Sequence, residues 1–130
     1  MKAQELRIGN LLLKGSLNID TGGIKEEIVI VDYHILYEII NGSTNYQYIP
    51  LTEDWLIKLG ASRHPDNNYH YYSFQLTEDF SLDFIPIGNN MFKLTIVNNL
   101  DIIESQFILN YVHQVYNLIY SLTGEELIIK

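Results

Sequence analysis

The sequence contains no cysteine among its 130 residues. This absence excludes disulfide bonds, thiolate metal sites and cysteine nucleophiles together. Bases are also scarce, with 8 Lys and Arg against 16 Asp and Glu, and the formal net charge is -8. Proteins that bind nucleic acid gain affinity by neutralising phosphates with basic side chains. We therefore expect no direct binding to DNA or RNA, and no docking on an anionic membrane surface.

Long apolar runs are missing as well. The runs at 11–13 and 28–31 are too short for a signal-peptide core or a membrane span. The sequence has no glycine-rich phosphate loop, nucleophile elbow or zinc-protease helix. We therefore expect a cytoplasmic protein that is not an enzyme, with no cofactor and no catalytic residues.

What the chain has in quantity is apolar and aromatic side chains. Hydrophobic residues make up 47% of the sequence, which predicts a packed core, and ten of the residues are tyrosine. Because tyrosine has an apolar body and a polar tip, we expect many of these side chains at half-buried sheet faces or at a binding surface. The length fits one domain, or two small lobes spanning 1–50 and 51–130.

The predicted fold class is α+β, and its first lobe is predicted to be β-rich. Strands are indicated near 7–13 and 45–49, and residues 27–40 are rich in the Ile, Val and Tyr typical of sheets. Asn41-Gly42 is a strong hairpin signal, since both residues tolerate a positive φ angle. The lobe is therefore predicted to be a β meander or a small SH3-like barrel.

The second lobe is predicted to combine helices with an antiparallel β meander. Thr52 is the expected N-cap of a short helix over 53–59, which Gly60 ends. A loop is expected at 61–68. Turn signals then separate predicted strands at about 69–76, 80–87 and 91–97, with another within 101–109, before a final helix that ends near Leu122.

That final helix is predicted to pack on the sheet by an apolar stripe. The stripe consists of Val112, Val115, Ile119 and Leu122, with Leu118 beside it. The helix could begin after Ser105 or near Asn110, and the later start is preferred. A partner-binding surface is predicted on its other side, consisting of His113, Tyr116, Asn117 and Tyr120. One alternative is that this side is simply solvated, and another is that the interface lies at the tyrosines of the first lobe, at 33, 37, 46 and 48.

Two other clusters could suggest chemistry. His64, Asp66 and His70 are ligand types that suit zinc, but their segment has the composition of an ordinary loop, and structural zinc sites need four ligands. We therefore predict no metal. The adjacent acid pairs point apart on any regular element, so they are predicted to be solvated surface.

Three segments together resemble a family of small uncharacterised proteins encoded by phages, prophages and mobile elements of gut bacteria. They are LRIGNL at 6–11, IPLTEDWL at 49–56, and YVHQ at 111–114 with Asn117-Leu118 and LTGEEL at 122–127. The helix departs from the family at Val115-Tyr116, where Leu-Gln is usual, and at 119–121, where Tyr-Phe-Ala is usual. The resemblance implies the cytoplasm of a host cell as the location. It implies no activity.

Three functions remain open at this point. The first is a non-enzymatic phage or mobile-element accessory protein that binds a host or phage protein. The second is an acidic inhibitor that mimics nucleic acid, which requires the carboxylates to gather on one face. The third is a small-ligand-binding protein or enzyme with a pocket between the lobes, which requires convergent polar groups there.

Overall fold

A computed structural model of the chain describes residues 3–17, 20, 22–65, 70–99 and 101–127, with the backbone alone at 3, 17 and 104–106. The chain forms two compact units, Met1–Ile49 and Pro50–Lys130. We call them the N-terminal and the C-terminal unit. Each contains an antiparallel sheet and at least one helix, so the α+β prediction is confirmed.

In its described residues, the N-terminal unit is a three-stranded sheet with one α-helix. The central strand β1 pairs with β2 along seven residues, from Leu11 opposite Ile30 to Leu17 opposite Ile24, and on its other side with β3. In chain order the elements are a 3-10 turn at Ala3–Glu5, β1 at Leu11–Leu17, β2 at Ile24–Ile30, helix α1 at Tyr33–Ile40 and β3 at Tyr46–Tyr48.

Helix α1 occupies a segment for which the sequence predicted β-structure, and that prediction is wrong. Asp32 caps the helix, since its carboxylate accepts a hydrogen bond of 2.9 Å from the Ile35 N–H. Ile35, Leu36 and Ile39 follow at helical spacing and pack in the core of the unit. Asn41-Gly42 ends this helix and is not a hairpin, although Gly42 does have a positive φ of 89°.

A tight turn precedes β1 and is held by a buried amide. The side-chain oxygen of Asn10 accepts a 2.6 Å hydrogen bond from the Arg7 N–H, while the Asn10 N–H donates to the Arg7 carbonyl. Gly9 between them has a φ of 98°, which an L residue with a side chain rarely adopts. The Arg7-Ile8-Gly9-Asn10 motif is therefore explained by backbone geometry.

In the described residues, the C-terminal unit is a five-stranded antiparallel sheet in the order β4-β5-β6-β7-β8, with two helices. The predicted short helix, meander and final helix are confirmed, while β4 lies where a loop was predicted. The elements are α2 at Glu53–Lys58, β4 at Ser62–Pro65, β5 at His70–Gln75, β6 at Phe80–Gly88, β7 at Met91–Asn98, β8 at Asp101–Leu109 and α3 at Val112–Thr123.

Helix boundaries in this unit follow the capping residues. The Thr52 hydroxyl accepts a 3.1 Å hydrogen bond from the Trp55 N–H, so Thr52 is the N-cap as predicted. Helix α3 begins after Tyr111, close to the later of the two predicted starts, and Gly124 ends it with a φ of 73°. The glutamine of its first turn, Gln114, accepts hydrogen bonds from the N–H groups of Asn110 and Tyr111.

One face of the five-stranded sheet forms most of the core. The register places Tyr72 opposite Phe84 and Phe84 opposite Leu94, and all three are buried. The helices contribute further buried side chains, namely Leu56, Val112, Val115, Tyr116 and Ile119. Within the described residues, no helix has the length and apolar character needed to cross a membrane.

Candidate functional site

Two of the four residues of the surface predicted on α3 belong to the core. His113 and Tyr116 are only 2% and 4% exposed. Asn117 is half-buried and Tyr120 is exposed. The placement of His113 and Tyr116 on an outer face is therefore wrong, while binding at Tyr120 or Asn117 stays a prediction.

The reason is that the buried side of α3 is wider than the predicted stripe and is rotated relative to it. Val112, Val115, Tyr116 and Ile119 follow the i, i+3, i+4, i+7 spacing of a core-facing helix. Leu122, assigned to the stripe, is exposed. Burial raises the pKa of the Tyr116 hydroxyl, and the nearby Glu126 carboxylate raises it further. This tyrosine is therefore a packing residue.

The candidate metal ligands have other contacts. His64 stacks on Tyr71 with ring centroids 5.0 Å apart, and His70 Nε2 lies 3.0 Å from Glu53 Oε1. Asp66 lies outside the described residues. In the part of the chain that is described, no three His, Asp or Glu side chains gather as they would around a metal ion.

Glu53 is the centre of a polar cluster that the sequence did not indicate. The hydrogen bond with His70 lowers the pKa of this carboxyl, and a hydrogen bond from Tyr72 and the charge of Arg63 lower it further. Burial raises the pKa of Tyr72, as does its contact with Glu53. An ionised carboxylate held by these donors is suited to tying α2 to β5, and it is a poor general acid.

Among the described residues, the most exposed tyrosine side chains lie on α1, in the N-terminal unit. Tyr33 is 81% exposed, Tyr37 67% and Ile40 70%. Their i, i+4, i+7 spacing places them on one side of the helix, while Ile35, Leu36 and Ile39 pack in the core. We call Tyr33, Tyr37 and Ile40 the α1 face. The sequence placed Tyr33 and Tyr37 only in an alternative interface together with Tyr46 and Tyr48, and did not identify the helical face, because this segment was predicted to be sheet.

Polar groups border the α1 face. His34 Nε2 lies 3.0 Å from Glu38 Oε1, one helical turn away. The other carboxylate oxygen of Glu38 accepts a 2.6 Å hydrogen bond from the Tyr46 hydroxyl. Asp32 caps the first turn. Apolar and aromatic side chains with a polar border are the usual composition of a protein-binding surface.

The burial of Tyr46 and its contact with Glu38 together predict a loss of stability at alkaline pH. Burial, followed by the hydrogen bond and charge of Glu38, raises the pKa of Tyr46 from 10.0 to about 12. Below pH 10.0 the tyrosine is neutral in both states, whereas between pH 10.0 and about 12 only the unfolded chain ionises. The free energy of unfolding should therefore fall as the pH rises through this window.

Urea unfolding at several alkaline pH values measures this loss in the wild type and in Tyr46→Phe. Phenylalanine cannot ionise, so the variant should lose less stability than the wild type across the same window. Tyr72 and Tyr116 contribute equally to both curves and cancel in the difference. Parallel curves for the two proteins would contradict the raised pKa of Tyr46.

Comparison of the chain with protein-family models, with curated proteins and with solved structures finds no match. A function must therefore be inferred from the residues of the chain itself, and the α1 face is the strongest candidate among those described.

Proposed function

We propose that the protein is a non-enzymatic accessory protein of a phage or mobile element that acts by binding a host or phage protein. The observation that supports this function is the α1 face. Three large side chains, two of them aromatic, are each at least two-thirds exposed on one side of a short helix.

An exposed tyrosine alone needs no explanation, because folded proteins leave much apolar surface in contact with water. Three such side chains on consecutive turns are different, since a contiguous apolar stripe is costly to keep in water. These three side chains do not pack in the core of the unit, because Ile35, Leu36 and Ile39 on the opposite side of α1 do so. Removing the stripe should therefore leave the fold intact.

The spacing also indicates how a partner would bind. Residues at i, i+4 and i+7 of a helix are the anchors that enter an apolar groove when one protein binds another through a helix. Tyrosine is a frequent anchor, because it buries a large area and keeps a hydroxyl for a directional hydrogen bond. We place the contact energy on Tyr33 and Tyr37, with Ile40 completing the stripe.

Capture from host lysate by the wild type and by the double variant Tyr33→Ala, Tyr37→Ala tests the function. Both side chains are exposed, so the variant should unfold at nearly the wild-type temperature. It should nevertheless retain its partner roughly tenfold less well or worse, since truncating an aromatic anchor commonly weakens binding by that much.

Ile24→Ala is the matched control, because Ile24 is a large apolar side chain of the same unit that is 77% exposed and lies on β2, outside the α1 face and its polar border. It should capture the partner as the wild type does. A specific partner retained equally by the wild type and the double variant would contradict a role for the α1 face. A partner lost only when Tyr120 is changed would move the interface to α3.

A further inference from the structure

We propose that the N-terminal unit binds a small guanidinium compound in a cavity above Gly15, on the face of its sheet that points away from α1. This goes beyond the proposed function, because α1 packs on the other face, where Leu12 contacts Ile35 and Leu36 in the core. Side chains alternate along a strand, so Leu13 and Gly15 belong to the opposite face. The described residues that line the cavity all belong to this one unit.

Gly15 is an unexpected residue in the middle of a central strand. Glycine weakens a strand, and where it occurs it often marks a bulge, a tight bend, or the close approach of a ligand or another backbone. The register of β1 with β2 is continuous through Gly15, which lies opposite Glu26, so there is no bulge. Its φ angle is not positive, so a residue with a side chain could adopt the same conformation.

Crowding does not require the glycine either. A Cβ atom at residue 15 would lie 3.5 Å from Ile24 Cγ2 and 3.8 Å from the Asn45 carbonyl oxygen, which are ordinary van der Waals distances. The space above Gly15 is a cavity of about 280 Å³, close to the lower end of the range of ligand pockets, about 300–1,000 Å³. The role left for Gly15 is to keep this cavity open for one small molecule.

The lining of the cavity favours a cation that carries hydrogen-bond donors. Glu26, directly opposite Gly15, supplies a carboxylate. Among the described residues, no lysine, arginine or histidine lines the cavity. The other polar side chains are hydroxyls and amides, each with an oxygen that can accept a hydrogen bond, namely those of Ser16, Thr44, Asn45 and Gln47.

The two lysines of this hairpin do not balance the charge of Glu26 in the cavity. Lys14 lies opposite Glu27, on the face that bears α1, and its Nζ lies 5.9 Å from the centroid of the Tyr46 ring. Lys25 precedes Glu26 on β2 and therefore points to that face as well. The cavity is thus negative, and a cationic ligand complements it.

A guanidinium group fits this arrangement better than an ammonium group does. It is planar, and its N–H donors form a rigid fork that matches the two oxygens of a carboxylate. Because no side chain stands on Gly15, a planar group can lie against the backbone there and donate to Glu26. Leu13 and Ile24 give the cavity apolar walls for the hydrocarbon part of the ligand.

Titration with butylguanidinium, followed by NMR, tests the site, and butylurea is the matched ligand because it is planar but uncharged. Butylguanidinium should shift the amide signals of Gly15 and Glu26 until they saturate. Butylurea should bind roughly tenfold more weakly or worse, since a charged donor makes the stronger hydrogen bonds to a carboxylate. Added salt should weaken the binding of butylguanidinium, because Glu26 is exposed. Signals that never saturate, or equal binding of the two compounds, would overturn the proposal.

Two variants test the residues. Glu26→Gln keeps the shape of the side chain and removes its charge, so it should bind butylguanidinium roughly tenfold more weakly. Glu27→Gln makes the same change on the other face of β2 and should bind as the wild type does. Gly15→Ala should also bind roughly tenfold more weakly, yet unfold at the wild-type temperature or higher, because alanine fits the strand. Equal binding by the two glutamine variants, or a Gly15→Ala protein that unfolds well below the wild type, would show the site to be wrong.

Ile24→Ala separates this site from the α1 face. It shortens one wall of the cavity, so it should weaken the binding of butylguanidinium, while capture of a protein through the α1 face is unchanged. The double variant Tyr33→Ala, Tyr37→Ala should give the reverse result. If the double variant also lost butylguanidinium while still folded, the cavity would not be the binding site.

Discussion

The Val115→Asp variant is expected to lose the cooperative unfolding transition of the C-terminal unit. Val115 is fully buried in the middle of α3, and an isolated carboxylate there has no partner to compensate its lost hydration. An unpaired buried charge lowers the free energy of unfolding by about 3–5 kcal/mol or more, which is comparable to the whole stability of a small unit. The only tryptophan of the chain, Trp55, lies on α2, so its fluorescence follows this unit.

Leu122→Asp is the matched control for this prediction. It makes the same chemical change on the same helix, at an exposed position. A carboxylate in the last turn opposes the helix dipole and should cost only about 0.3–1 kcal/mol. A cooperative transition near the wild-type midpoint in Val115→Asp, or equal losses in the two variants, would show that the buried side of α3 is wrongly assigned.

The second large effect is expected at Tyr116. Replacing it with alanine removes a ring that is almost completely buried, and truncating a buried aromatic side chain costs about 3–5 kcal/mol. Tyr120→Ala, one turn further along, should cost about 1 kcal/mol or less, since that ring is exposed. Urea unfolding followed by Trp55 fluorescence compares the two.

The pair distinguishes two views of α3. If Tyr116→Ala unfolded at the wild-type urea concentration, the ring would be a surface group, as the sequence alone suggested. If Tyr120→Ala were the more damaging change, the helix would be rotated from the orientation described above. We expect a large loss of unfolding free energy for Tyr116→Ala and a small one for Tyr120→Ala. This order requires residue 116 to lie on the buried side of α3.

The sequence predicted best those elements whose ends carry specific capping chemistry. Thr52 and Gly60 delimit α2, and Gly124 ends α3, because a side-chain oxygen or a positive φ is needed at those positions whatever the rest of the chain does. Strand β6 was also predictable from a local pattern, because the apolar residues Phe80, Leu82 and Phe84 alternate with polar ones, as is typical of a strand.

Prediction failed where tertiary packing decides between local alternatives. Residues 33–40 have the composition of a strand, but Asp32 and the spacing of Ile35, Leu36 and Ile39 favour a helix once a sheet is present to cover. On α3, both Tyr116 and Leu122 could complete an apolar stripe, and only the packing within the C-terminal unit selects Tyr116. The candidate site moved from α3 to α1 for these two reasons.

The most direct test of the proposed function is site-specific photocross-linking from the α1 face. A photoreactive phenylalanine analogue at position 37 replaces one exposed ring with another, and the same analogue at position 120 samples α3. We predict that irradiation in host cells yields a discrete covalent adduct with one partner from position 37 and none from position 120. An adduct from position 120 alone, or a partner that co-purifies without ever cross-linking to position 37, would contradict binding through the α1 face.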